Sequence, residues 1–121
     1  MAYNERYAEQ VKKILLKKNV DFEEKKMFGG IAFMIDGKMT CGITKDDLMV
    51  RIIESEYEKA LKDKNVRKMD FTGKPLKGFL YVDKSVFKDD KTLEKWINFG
   101  IEYVKSLKEK RRNNFIHKFF R

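Results

Sequence analysis

Met27-Phe28-Gly29-Gly30-Ile31-Ala32-Phe33-Met34-Ile35-Asp36-Gly37-Lys38-Met39-Thr40-Cys41-Gly42-Ile43-Thr44 is the stretch whose reading decides the fold. Two strand-like runs flank Asp36-Gly37, and Asp-Gly in that setting favours a type I′ turn, which needs positive φ at both central residues. The pattern predicts an antiparallel hairpin of Met27 to Ile35 with Lys38 to Thr44. Lys45-Asp46-Asp47 makes a second turn, and Leu48 to Ile53 supplies a third strand. In the second strand Met39, Cys41 and Ile43 alternate with Lys38, Thr40 and Gly42, so one face is expected to be buried and one more open. The first strand is apolar on both faces: Phe28, Ala32 and Met34 oppose Met27, Ile31, Phe33 and Ile35. Its second face therefore calls for cover from another element or a second subunit.

Outward from this meander, the N-terminal side reads as an amphipathic helix. Tyr7, Ala8, Val11, Ile14 and Leu15 fall at helical spacing over residues 4–18, and Asn4 is placed as the N-cap. On the C-terminal side, Ser55-Glu56-Tyr57-Glu58 has capping-box spacing and predicts a short helix. Val66 to Phe71 and Gly78 to Val82 read as strands, joined by Thr72-Gly73-Lys74-Pro75-Leu76-Lys77, whose Gly and single Pro argue against regular structure. Asp89 and Asp90 mark a helix start. Leu93, Trp96, Ile97, Gly100, Ile101, Val104 and Leu107 then keep a helical stripe. Phe115, Ile116, Phe119 and Phe120 also share one helical face. The expected fold class is α+β, in the order helix, three strands, helix, two strands, helix and basic tail.

The chain has 121 residues and 42% hydrophobic composition, enough for one core without disulfides or metal. No apolar run approaches the roughly 20 residues of a membrane-spanning helix, and the first residues lack the apolar stretch of a signal peptide. The lone Cys41 fits a reducing compartment, so a cytoplasmic location is expected. The formal charge of +9 is unevenly placed. Lys105, Lys108, Lys110, Arg111, Arg112, Lys118 and Arg121 stand against Glu109 alone, whereas the body is nearly balanced.

The run from Met27 to Met39, continued by Asp47-Leu48-Met49-Val50-Arg51, resembles the N-terminal domain of the TfoX/Sxy family. The resemblance resumes at Met69-Asp70-Phe71-Thr72-Gly73-Lys74-Pro75-Leu76-Lys77-Gly78-Phe79 and at Leu93 with Trp96. It covers roughly residues 1–107, assigning them to a TfoX N-terminal-like domain, with 108–121 as a basic C-terminal tail outside it. The resemblance implies an α-β3-α-β2-α arrangement with an antiparallel sheet, related to secretion-chaperone-like folds. It also implies a regulatory role, since the family's best-known members resemble regulators of natural competence that act in transcription with the cyclic-AMP receptor protein. Those regulators carry a second, helical domain where this chain has its tail.

Catalytic constellations are hard to build from these residues. His117 is the only histidine. It lies in the tail, so no Ser-His, Cys-His or multi-His arrangement on the body is expected. Cys41 patterns as a small core residue, because a reactive thiolate needs an electropositive, accessible setting. Gly29-Gly30 lacks the Gly-Lys-Ser/Thr continuation of a phosphate loop and precedes a strand, which favours a bulge or a close-packing site. Asp36, Asp46 and Asp47 are turn residues without metal-ligand spacing. No catalytic site, cofactor or metal is expected.

Three places keep functional interest. Arg51 shares a strand face with Met49 and Ile53, and it either pairs with a carboxylate such as Asp70 or lines an anion-binding groove. An enzyme would require a pocket around Arg51, Asp70 and Tyr81. Phe28, Met34 and Met49 are either core or an interface for a homodimer or protein partner. Lys108, Lys110, Arg111, Arg112, Lys118 and Arg121, interleaved with Phe115 and Phe119, are either a solvated terminus or a surface for nucleic acid or an anionic membrane. The leading expectation is a non-enzymatic binding or regulatory module, and the alternative is a nucleic-acid-binding accessory protein using the tail.

Overall fold

A computed structural model describes residues 3–27, 29–71 and 74–120, with the side chains of residues 70–71, 74–77 and 108–120 outside the description. The first helix, α1 (Glu5–Lys17), starts where the sequence places it: the Asn4 side chain accepts from the backbone N–H groups of Arg6 and Tyr7. Four strands follow, β1 (Glu23–Met27), β2 (Gly30–Ile35), β3 (Lys38–Thr44) and β4 (Asp47–Arg51). A short helix α2 (Glu54–Ala60), strands β5 (Val66–Phe71) and β6 (Lys74–Val82), a 3-10 turn (Lys84–Lys88) and the long helix α3 (Asp90–Phe120) complete the order. The six strands form one antiparallel sheet in the order β1-β2-β3-β4-β6-β5.

The Asp36-Gly37 turn forms with φ of 52° and 76°, as the sequence predicts. The element order differs from expectation by one strand before α2. Glu23-Glu24-Lys25-Lys26 is exposed and carries no apolar alternation, yet it pairs with β2 through the backbone, Lys25 opposite Ala32. Charged side chains on an edge strand discourage pairing with another chain. The run predicted as one strand from Met27 to Ile35 is thus two, turned at Gly29, whose φ is +71°. Gly30 then approaches β3 so closely that a Cβ would collide with the Ile43 carbonyl, which makes this glycine pair a turn and a close-packing site.

One core lies between the sheet and all three helices. Ile31, Phe33, Cys41, Ile43, Leu48, Val50, Leu80 and Val82 meet Ala8, Val11 and Leu15 from α1, Tyr57 and Ala60 from α2, and Leu93, Trp96, Ile97 and Val104 from α3. Each fully buried Leu, Ile or Phe among them contributes roughly 1.5–3 kcal/mol relative to exposure. Helix α3 reaches the sheet because Gly100 has no side chain: a Cβ there would strike the carbonyl oxygen of Thr40. The Tyr7 and Phe87 rings stack at 3.9 Å and tie α1 to the 3-10 turn.

A second, smaller cluster occupies the opposite sheet face: Ala32, Met39, Met49 and Met69 are buried, with Met27, Met34, Phe79 and Tyr81 packed around them. Five of the six methionines therefore gather on this face. Met39 was expected beside Cys41 and Ile43. The register of β2 against β3 shifts between Phe33 and Met34, and this bulge turns Met39 to the far side while Cys41 stays in the main core.

Two local expectations fail for identifiable reasons. Helix α2 begins at Glu54, one residue ahead of Ser55, with Ile53 as N-cap and no side-chain cap hydrogen bond, so the expected capping box is absent. Pro75 lies within β6, not in an irregular connection. It pairs only with Asp70 of β5, since β4 is registered with Phe79 to Val82, so no β4 partner is present to need its missing N–H.

Candidate functional site

Arg51 is the last residue of β4 and lies opposite Phe79 in β6. The Ile52 N–H donates to the Gly78 carbonyl at 2.8 Å, so the sheet holds the backbone in register up to the start of α2. The Gly100 contact fixes α3 over β3, which places Tyr103, three residues later, above the end of β4. The result is an aromatic clamp: the guanidinium carbon of Arg51 is 4.4 Å from the ring centroid of Phe79 and 4.4 Å from that of Tyr103. Each such cation–π contact is worth about 0.5–2 kcal/mol, increasing as water is excluded.

The two rings give the guanidinium cation–π contacts but no hydrogen bond. Among the described residues Arg51 has no hydrogen bond or ion pair, and its Nε is buried without a partner. A buried donor left unmade costs about 1–3 kcal/mol, comparable to what the stacking supplies. Arg67 makes a useful contrast. It too lies by a ring, 5.4 Å from the centroid of Tyr81, but it donates to Asp47 at 2.7 Å and is thereby paired.

Arg51 lines an open cleft of about 740 Å³. Ile52, Ile53, Tyr57, Tyr103 and Leu107 give it a largely apolar wall, while Glu54, Ser55 and Ser106 contribute polar groups. The Ser106 hydroxyl donates to the Tyr103 carbonyl at 2.6 Å, a bond that stays inside α3. Tyr81 is absent from this lining, and the Asp70 side chain lies outside the described residues. The pocket that an enzyme would require around Arg51, Asp70 and Tyr81 thus falls partly outside the described residues, and the cleft that Arg51 does line is shared with α2 and α3. Tyr57 and Tyr103 were missed as site residues, although Tyr103 sits next to Val104 on the border of the α3 stripe.

The other candidates separate cleanly. Met49 is fully buried inside the chain and has no surface to offer a partner, so of its two readings it is core and not interface. Met34 is half-buried on the methionine face, and Phe28 lies outside the described residues. Residues 108–120 continue α3 without a break. The side chains of Lys108, Lys110, Arg111, Arg112 and Lys118, and Arg121 entirely, lie outside the description.

Cys41 is fully buried, and burial pushes its thiol up to about 12, which keeps it protonated and poorly nucleophilic. Among the described residues no group of three His, Cys, Asp or Glu side chains is placed to hold a metal ion. No described helix is long and apolar enough to cross a membrane.

No curated protein matched the chain. The family model of the TfoX N-terminal domain matches residues 15–103, a span that takes in the whole sheet, the methionine face, Arg51 and both rings of its clamp. Since that match covers most of the sequence, the chain belongs to the TfoX N-terminal domain family.

Proposed function

We propose that the chain is a non-enzymatic binding and regulatory module that engages a protein partner, or a second copy of itself, through the methionine-rich face of its sheet. One observation carries this reading. All three helices pack on one sheet face, while the other is clad by methionine side chains with Met27, Met34, Phe79 and Tyr81 only partly buried. Methionine is flexible and polarisable, so such a face adapts to an apolar partner surface. Family membership supports the regulatory part of the reading, and the role in competence belongs to this proposal.

The test is Met34→Asp, which puts a charge on that face at a half-buried position. Light scattering is expected to show concentration-dependent association of the wild type that the variant loses, or affinity purification a stoichiometric partner that the variant fails to retain. A wild type that stays monomeric and retains no stoichiometric partner counts against the proposal.

A second reading, nucleic-acid binding, rests on a different observation. Helix α3 is 31 residues long and runs from the core directly into the segment containing Lys108, Lys110, Arg111, Arg112 and Lys118. At 1.5 Å per residue it is about 46 Å long, so basic residues follow one another on a continuous rod anchored in the domain. Lysine and arginine on such a rod neutralise phosphates without reading base sequence.

A further inference from the structure

We propose that the Arg51 cleft is a binding site for a small organic acid: a molecule with an apolar body and a single carboxylate. Three features on different elements converge on this ligand. The guanidinium lies over the rings of both Phe79 and Tyr103, 4.4 Å from each centroid, and these contacts restrict its orientation before any ligand arrives. The guanidinium has no hydrogen-bond or ionic partner among the described residues, and its Nε is buried and unsatisfied. The charge lines a cleft of about 740 Å³ whose other walls are mainly Ile52, Ile53, Tyr57, Tyr103 and Leu107. Ligand sites are commonly apolar clefts of roughly 300–1,000 Å³ with a few convergent polar groups.

The chemistry narrows the class further. A planar guanidinium fork matches a planar carboxylate, and charge-assisted hydrogen bonds of this kind are about twice as strong as neutral ones. The same cleft is lined by Glu54, which is itself engaged within the chain. One acidic side chain beside one arginine in the lining favours a monoanion over a phosphate ester carrying two charges. The apolar walls select for the body of the ligand. Arg67, already paired with Asp47, offers no such opening. The site borders the methionine face at Phe79, but its test reads ligand-induced shifts at cleft residues and not association, so its outcome is distinguishable from that of the partner reading.

The experiment is a titration of the full chain followed by two-dimensional amide NMR. The probes are 1-naphthylacetate, its neutral counterpart 1-naphthylacetamide, and phenyl phosphate. The acid is expected to shift resonances of residues around Arg51, Tyr57 and Tyr103 and to bind at least about tenfold tighter than either other probe. In Arg51→Gln the acid should fall to the affinity of the amide, whose retained weak binding shows that the apolar cleft is still folded. Arg51→Lys, which keeps the charge but loses the fork, is expected to recover only part of the preference. Equal binding of acid and amide to the wild type, or no cleft shifts with any probe at millimolar concentration, overturns the proposal. That comparison uses no variant, so it stands even if Arg51→Gln fails to fold.

Discussion

The guanidinium carbon of Arg51 in β4 lies over the ring of Tyr103 in α3, 4.4 Å from its centroid, and this pair links the last turn of the family-matched segment to the end of a central strand. The contact is the reason the cleft has a charged wall at all. Without the ring, the arginine side chain would regain its rotamers and its edge would be free to move into solvent. Tyr103→Ala should destabilise the fold by about 1–2 kcal/mol through lost stacking and lost apolar contact. Tyr103→Phe keeps the ring and should cost less than half of that. Urea unfolding of the two variants checks the difference, and equal loss in both would show that the hydroxyl, not the ring, is what matters.

Gly100 gives a prediction against helix propensity. Alanine favours an exposed helix interior by about 1 kcal/mol over glycine. Here the added methyl would strike the backbone carbonyl of Thr40, which β3 holds in place and which cannot rotate away. Gly100→Ala is therefore expected to destabilise by about 1–3 kcal/mol, the range for overpacking a rigid contact. Thermal melts would show the sign directly. A stabilised variant would mean that α3 does not ride on β3 as closely as described.

Much of this architecture was legible in the residues, and the exceptions share a cause. Asn4, Asp36-Gly37 and Asp89 act through their own local backbone, so spacing alone identified them. Glu23 to Lys26 escaped notice because an edge strand is held by its neighbour's hydrogen bonds and needs no apolar pattern of its own. Met39 was assigned to the wrong face because strict alternation cannot anticipate a bulge. The site was half-visible. Arg51 stood out as a lone charge after an apolar strand, but Tyr57 and Tyr103 join it only through the packing of α2 and α3 on the sheet, which periodicity does not encode.

Cys41 offers a chemical check on the core. Its thiol is raised to about 12 by burial alone, and its side chain is fully enclosed. At pH 8 the native protein should react with a disulfide reagent orders of magnitude more slowly than the urea-unfolded chain, where the thiol returns to its ordinary range near 8.5. Rapid reaction under native conditions would place Cys41 outside the core.

The acid side of the stability profile follows from three carboxylates. Asp89 is held below its ordinary pKa mainly by the Thr92 hydroxyl and the Lys91 N–H, Asp83 by the Ser85 N–H, and Glu94 by Lys18, which it meets at 2.9 Å across α1 and α3. A carboxylate whose folded pKa is depressed stabilises the protein above its unfolded value and loses that contribution as pH falls through the folded one. The melting temperature is thus expected to fall below about pH 4, and the fall should be shallower in Asp89→Asn, which no longer titrates at that helix start. Lys12, raised by Glu24 and Glu9, has the opposite sign. Its contribution is complete below its ordinary value and disappears as pH rises beyond it.

The basic end of α3 supplies the last prediction, chosen to separate charge from fold. Truncating at 107 would cut a helix that is continuous from Asp90, so loss of binding could reflect fraying of the core turn at Val104. Replacing Lys110, Arg111 and Arg112 by Gln keeps helix propensity nearly constant and removes only charge. If the rod binds nucleic acid, each lost phosphate contact should reduce the slope of log K against log salt by about 0.9 on duplex DNA. A triple variant that loses three contacts should then bind more weakly at low salt and converge on the wild type as salt rises. The affinity loss should be similar across unrelated sequences, because phosphate contacts carry no base information. An unchanged slope in a variant with an unchanged melting temperature would remove these residues from any nucleic-acid surface and leave the sheet face and the Arg51 cleft as the places where the protein engages other molecules.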